Sequence, residues 1–422
     1  MTNLISKKIR GFRDILPEEC EKFLFLEKTI HMLVPLFNIH QIKIPILESE
    51  NLFKRSIGEQ SDIVTKEMYS FVDKNDDTVC MIPEGTASCV RLALENNLTY
   101  DRGVKKNRYY YIAPMFRHER PQKGRYRQFN QFGVEFFGEE SFLEDVDLLI
   151  LCNKLFSQIN LSDIKLSLNT IGSSQDRKKY SQDLHEYFTK NSKSLTDQQK
   201  KTASINPMRL LDTKDSKLKS IIESAPNISN YINIDSMKNF DKIQTTLSDL
   251  NISYIHDQKL VRGLDYYNDL VFEWKTDKLG TQDAICAGGR YDGLSKAVGG
   301  RDVPSVGFAM GMDRIIQLLS YQSNEIIIGL SLISDNMNHE YNLINHIRDN
   351  IEYSRLIVME RDKSLSKQIK QAVKNKCQFL IIVGEDEISN NTLTIKHLNN
   401  DSNDESIHLD KLNGFIQGYL NK

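Results

Sequence analysis

The sequence predicts an α/β protein: an antiparallel-sheet core flanked by helices, interrupted by a helical insertion and followed by a C-terminal α/β module. Three observations carry this. The segment Tyr109 to Gly138 reads as two aromatic-rich strands joined by a long cationic loop, which makes an antiparallel hairpin. From about Ser173 to Asn251, Ser, Lys, Asn and Asp dominate over an irregular helical periodicity, between two blocks of strand pattern. Beyond a polar linker at Tyr321 to Asn324, strand and helix patterns alternate, as expected of a small domain with a mostly parallel sheet.

With 422 residues the chain has room for two or three domains and a substantial core. Its net charge of −2 does not mark a nucleic-acid binder, so any RNA contact must come from local cationic clusters. Cys20, Cys80, Cys89, Cys152, Cys286 and Cys377 form no C-x-x-C pair and have no His at ligand spacing. That pattern predicts reduced, intracellular thiols and neither a disulfide framework nor a metal site. Met1 to Arg10 lacks a signal-peptide apolar region and no apolar run approaches membrane-spanning length, so a cytoplasmic protein without a membrane partner is expected.

In chain order, the turn-rich stretch Arg10 to Pro17 precedes a helical pattern from Glu18 to about Phe37, with Phe23, Leu26, Ile30, Leu33 and Val34 apolar. A strand follows at Gln41 to Leu47, interrupted by Pro45, which removes a ladder donor and predicts an edge or interface position. Glu84 and Thr86 stand between a strand (Thr78 to Ile82) and a helix (about Ala87 to Leu94). A carboxylate there reads either as a cap on the helix dipole or as a ligand for an ammonium group.

In the hairpin, side chains alternate faces, so Gln131, Gly133 and Glu135 share one face of the second strand, and Ala113, Met115 and Arg117 one face of the first. Burying such groups unpaired costs about 1–3 kcal/mol for each missing hydrogen bond and more for a charge. A polar ligand across the sheet would meet those needs, with Gly133 leaving it room; the other reading is a surface hairpin with a wet face. Five cations, Arg117, Arg120, Lys123, Arg125 and Arg127, crowd the loop.

After the hairpin come a helix at Glu144 to Gln158 and a strand at Ile164 to Asn169. Between Ser173 and Ala225 there are eleven Lys or Arg against seven Asp or Glu, which fits a solvated helical face as well as an RNA-gripping one. The strand pattern reopens at Tyr254, with the turn Arg262-Gly263-Leu264-Asp265-Tyr266-Tyr267 and a strand at Leu270 to Trp274. Ala284 to Leu294 is a strand of small residues ending in a turn; its glycines allow close approach of a flat ligand such as adenine, or a tight backbone crossing. Ser305 to Ile315 passes from strand to helix with Arg314 in the first turn. The last module reads as strand (Glu325 to Ile333), helix (His339 to Asn350), strand (Arg355 to Glu360), helix (Ser364 to Cys377), strands Phe379 to Gly384 and Thr392 to Leu398, and helix (Asp410 to Tyr419).

The string Phe116-Arg117-His118-Glu119-Arg120-Pro121-Gln122-Lys123-Gly124-Arg125-Tyr126-Arg127-Gln128-Phe129 closely resembles motif 2 of the class II aminoacyl-tRNA synthetases, in the form of the histidyl-tRNA synthetase family. The helix and proline-bearing strand near the N-terminus resemble motif 1, and Ser305 to Ile315 motif 3. Leu260 to Asn268 resembles the histidine-binding signature that other class II members lack.

The resemblance implies a class II synthetase catalytic core in two parts, residues 1–172 and 252–321, around an insertion at 173–251, with an anticodon-binding domain at 325–422. It implies activation of L-histidine by ATP and transfer to the 3′ end of tRNA-His, with a homodimer formed through motif 1. Catalytic roles fall to Arg117, Arg262 and Arg314: Arg117 and Arg262 on the α-phosphate and substrate carboxylate, Arg314 on the γ-phosphate. Arg117, Glu119, Arg125 and Arg314 are the implied ATP ligands. Glu84, Gly85, Thr86 and Gln131 would receive the α-ammonium end of histidine, and Glu135, Tyr266 and Tyr267 its imidazole. Mg²⁺ accompanies ATP, with Arg262 able to stand in for one ion. Arg120 and Gln122 would either contact the tRNA acceptor end or order the loop.

Two rivals share parts of this pattern. The regulatory subunit of ATP phosphoribosyltransferase looks like the core without aminoacylating, but lacks the C-terminal module and departs from the histidine signature, both of which this chain retains. A threonyl or prolyl synthetase is disfavoured by Arg262 to Tyr267, and a zinc-binding threonyl site by the absence of Cys and His at ligand spacing.

Overall fold

A computed structural model describes residues 7–99, 107–122, 124–211, 213, 215–280, 283–321, 325–333, 337–351, 354–398 and 403–420. Lys123 of the cationic loop, Gln322 to Asn324 of the linker and residues 1–6 of the N-terminal stretch lie outside the described residues. The chain divides into two compact units, Met1–Ser320 and Tyr321–Lys422. Among the described residues no helix is long and apolar enough to cross a membrane.

The first unit contains strands β1 (His40–Gln41), β2 (Leu47–Ser49), β3 (Tyr69–Val72), β4 (Thr78–Met81), β5 (Asn107–Phe116), β6 (Gln128–Phe137), β7 (Lys165–Thr170), β8 (Tyr254–His256), β9 (Asn268–Lys275), β10 (Ala284–Arg290) and β11 (Ser305–Gly311). Its helices are α1 (Pro17–Leu33), α2 (Glu50–Ile57), α3 (Thr86–Glu95), α4 (Phe142–Gln158), α5 (Ser174–Lys190), α6 (Asp197–Ile205), α7 (Lys219–Glu223), α8 (Ile234–Asp249), α9 (Leu294–Ala297) and α10 (Met312–Leu318). Eight strands form the main sheet in the order β1-β5-β6-β11-β10-β9-β7-β8. Its interior pairings are antiparallel, and only the edge pairs β1–β5 and β7–β8 are parallel among the described residues.

The hairpin β5–β6 pairs in register from Asn107 with Phe137 to Phe116 with Gln128, which sets Ala113 opposite Gln131 and Tyr111 opposite Gly133. The small residues of β10 and β11 serve close packing: a Cβ on Gly288 would overlap the Gly307 carbonyl and the Phe308 side chain. The tight-crossing reading therefore holds for Gly288, while Ala284 to Ala287 face a cavity.

Two expectations are corrected in this unit. The single strand at Gln41 to Leu47 is two pieces: β1 pairs with β5 at the edge of the main sheet, while β2 pairs with β4 in a separate three-stranded sheet. Pro45 between them has no N–H for a ladder, and the chain leaves one sheet for the other there. Nor does Gly133 leave room for a ligand, because the ring of Tyr111 fills that space.

The helical segment α5 to α8 is well capped, with capping boxes at Ser173–Asp176 and Thr196–Gln199. Its apolar residues Tyr180, Leu184, Phe188 and Leu210 join one core with Phe53, Ile57, Tyr111, Tyr266 and Tyr267. The insertion is thus packed against the elements that carry the histidine signature.

The second unit has strands β12 (Ile326–Ile333), β13 (Ser354–Val358), β14 (Phe379–Gly384), β15 (Thr392–His397) and β16 (Glu405–His408), with helices α11 (Met337–Asp349), α12 (Leu365–Lys374), α13 (Glu385–Asn390) and α14 (Leu412–Leu420). The sheet order is β13-β12-β14-β15-β16. A mostly parallel sheet was expected, but only β13–β12 and β12–β14 are parallel; β14–β15 and β15–β16 are antiparallel. The link between β14 and β15 is the six-residue α13, too short for the crossover that a parallel return requires. Both α13 and β16 were absent from the expected elements.

Candidate active site

At the N-terminus of α3 the Glu84 carboxylate accepts from the backbone N–H groups of Thr86 (2.8 Å) and Ala87 (2.9 Å), so the capping reading is realised. Glu84 also borders a cavity of about 260 Å³. Burial pushes its pKa up, against the pull of those two N–H groups.

The hairpin forms one wall. Arg117, just past β5, donates through Nε to the Pro83 carbonyl (2.7 Å) and lies over the Phe129 ring, 5.7 Å from its centroid. Glu119 pairs with Arg125 across the loop. Gln131 faces the cavity and accepts from the Tyr111 hydroxyl (3.3 Å). From α10, Arg314 donates to the carbonyls of Gly124 (3.3 Å) and Ala284. Burial, then the repulsion of Arg125 and Arg117, pushes Arg314 below the ordinary arginine range, and burial does the same to Arg117. Guanidiniums nonetheless stay charged at neutral pH, so this corner of the cavity favours an anion with several oxygens.

The opposite wall is the turn before β9. Arg262 is ion-paired with Glu273 and lies 5.9 Å from the Tyr267 ring centroid. The Tyr266 and Tyr267 rings are 4.7 Å apart, and both face the cavity. Ala284, Ile285, Cys286, Ala287 and Ala309, from the paired strands β10 and β11, form its mostly small-residue floor.

Of the residues singled out in the sequence, Glu84, Thr86, Arg117, Glu119, Arg125, Gln131, Arg262, Tyr266, Tyr267 and Arg314 line this one cavity. Gly85 and Glu135 do not. Gly85 lies against Tyr111, where a Cβ would overlap the ring. Glu135 is fully buried behind the wall, accepting from Thr86 Oγ1 (2.7 Å) and from the Tyr291 hydroxyl; burial raises its pKa to about 8. Arg120 and Gln122 are exposed on the loop, where the Gln122 and Arg125 backbones bridge to close the turn.

Phe129, Tyr126 and Asp313 are among the wall residues that were not singled out. Phe129 offers an aromatic face beside Arg117, and Tyr126 carries Arg13 at 4.4 Å. Asp313, almost fully buried, accepts from Arg13 (2.5 Å) and from the Asn130 backbone N–H (2.6 Å), tying α10 to β6 and to the N-terminal segment. The acidic residue beside Arg314 at the start of a helix was the available signal.

A sequence profile described as "Histidyl-tRNA synthetase" matches residues 11–315, and one described as "Anticodon binding domain" matches residues 343–419. This chain belongs to the histidyl-tRNA synthetase family. Among curated relatives, the "Histidine--tRNA ligase" of Francisella philomiragia subsp. philomiragia is 39% identical over 416 residues, covering 97% of this chain and 98% of the relative. That of Hydrogenovibrio crunogenus is 39% identical over 412 residues, 96% of each chain. The structure of apo S. aureus histidyl-tRNA synthetase superposes with a TM-score of 0.78 at 29% identity, covering 98% of this chain and all of the other. The histidyl-tRNA synthetase match contains every cavity residue named above, and the anticodon-binding match falls within the second unit.

Proposed function

We propose that this chain is a histidine–tRNA ligase that activates L-histidine with ATP to histidyl-adenylate and pyrophosphate, then transfers histidine to the 3′ end of tRNA-His. One observation carries the reading: a single cavity joins the Arg262-to-Tyr267 turn to the cationic corner of Arg117 and Arg314. A regulatory paralogue is not favoured, since the relatives matched over nearly the full length are ligases and the anticodon-binding domain is present.

The histidine carboxylate is ionised at neutral pH, so its attack on the α-phosphorus needs no general base. It needs alignment, and neutralisation of charge growing on the phosphate oxygens. Arg117 and Arg262 hold the carboxylate and α-phosphate together, while Arg314 and Arg125 take the outer phosphates. The purine lies on the floor from Ala284 to Ala287, with the Phe129 face beside it. Glu84, Thr86 and Gln131 receive the α-ammonium, and Tyr266 and Tyr267 flank the imidazole.

Glu135 acts from behind that wall by holding Thr86 and Tyr291 in place. A site built to bond both sides of an imidazole rejects analogues that leave its own groups unpaired. Mg²⁺ would be held by the phosphates of ATP together with the Glu119 carboxylate on the cavity wall, and would help neutralise phosphate charge.

A second copy would cover the exposed apolar residues of α1 and its continuation, Leu24, Met32 and Leu36, giving a homodimer in the cytoplasm. Arg120 and Gln122, exposed on the loop, meet the tRNA acceptor end. The test is charging of tRNA-His by purified protein: transfer of histidine alone supports the reading, and transfer of a different amino acid or none at all overturns it.

A further inference from the structure

The insertion grips the turn that carries the two cavity tyrosines, and does so on both sides of them. On the near side, Asn206 Nδ2 (2.7 Å) and Arg209 (2.9 Å) both donate to Asp265 Oδ1, and Arg177 donates to the Asp265 backbone carbonyl (3.0 Å). Asn206 is itself locked, because its Oδ1 accepts from the Met208 N–H (3.1 Å) and caps the turn Pro207–Leu210. The other carboxylate oxygen, Oδ2, faces Gly58, whose missing side chain makes the space. On the far side, Ser236 at the start of α8 donates to Asp269 Oδ1 (2.5 Å). Asp269 is a non-glycine residue at φ 46°, a conformation that needs support, and Asn268 links it to Asp292 with contacts of 2.9 and 2.8 Å.

Neither Asp265 nor any of its insertion partners lines the cavity, yet Tyr266 and Tyr267 between the two grips do. We propose that Asp265 is a positioning residue for histidine, clamped by Asn206 and Arg209 so that the insertion sets where Tyr266 and Tyr267 stand. The proposal rests on the ligase reading above. The Asp265 side chain is 43% exposed, so its ion pair with Arg209 adds little to overall stability. Its effect falls on the geometry of the turn, and so on one substrate. ATP meets Arg117, Arg125 and Arg314, which the clamp does not touch, and Arg262, which is held separately by its ion pair with Glu273.

The experiment is ATP–pyrophosphate exchange with the full-length protein, varying histidine and ATP separately, for wild type, Asn206→Ala/Arg209→Ala, Arg209→Lys, and Lys238→Ala on the exposed face of α8 as control. The expected result is a rise of about tenfold in KM for histidine in the double variant. KM for ATP and the melting temperature should stay close to wild type, with most of the histidine effect rescued in Arg209→Lys. An unchanged histidine KM would overturn the proposal, as would a parallel rise in both KM values with a lower melting temperature, which marks a merely structural contact. Wild-type protein with no histidine-dependent exchange would refute the ligase reading itself, and this inference with it.

Discussion

The phenol ring of Tyr111 occupies the space that Gly133, its partner across the hairpin, leaves empty. The same ring covers Gly85 on the neighbouring turn, and its hydroxyl donates to Gln131 on the cavity wall. A wholly buried aromatic thus locks the strap around Glu84 to the hairpin. Gly133→Ala forces the ring aside and is expected to lower stability by about 1–3 kcal/mol, the range for overpacking a full core. Urea denaturation measures this, and an unchanged midpoint would contradict the placement of Tyr111.

Glu135 predicts a pH signature. Burial holds its folded-state pKa near 8, above the ordinary value of 4.5. The folded state therefore binds the extra proton between those values, and this contribution to stability is present below about 4.5 and lost as pH rises through about 8. Compared with Glu135→Gln, wild type should lose stability progressively across that window. A wild-type-minus-variant difference that stays flat with pH would show that the carboxyl is ionised throughout.

Arg108 and Glu144 form a buried two-pronged pair, with Nε to Oε2 at 2.9 Å and a terminal nitrogen to Oε1 at 2.7 Å. Both side chains are about 5% exposed or less. Arg108→Ala takes the guanidinium away from both Glu144 and Asp147 and should cost about 3–5 kcal/mol. Replacing both partners with apolar residues of similar volume should recover most of that loss, and thermal melts of the single and double variants decide it.

Asp313 joins three parts of the site: α10, the Asn130 backbone and Arg13. Asp313→Ala should lower kcat/KM for histidine activation on the order of 10²-fold, because Arg314 next to it loses its fixed aim. Activity close to wild type in this variant would remove Asp313 from the account.

What could be read from the sequence was whatever is local. The hairpin shows because two aromatic-rich runs flank a cationic loop and pair over ten positions, and the turn Arg262 to Tyr267 because its residues are contiguous. The role of Asp313 could not be read, since its partner Arg13 is 300 residues away. Tyr111 looked like one aromatic among three until Gly85 and Gly133 were seen on either side of it. The helix Glu385–Asn390 has no buried residue and so no apolar stripe to announce it, and Glu405–His408 has none of the alternation of a half-buried strand. Pro45 did signal an irregular edge, but a change of sheet depends on which strands lie on either side.

The most direct test of the account is ATP–pyrophosphate exchange with each amino acid in turn, on wild type and on Arg117→Ala. The account predicts exchange stimulated by histidine alone and abolished in the folded variant. Exchange with another amino acid, or histidine-dependent exchange that survives the loss of Arg117, would contradict it.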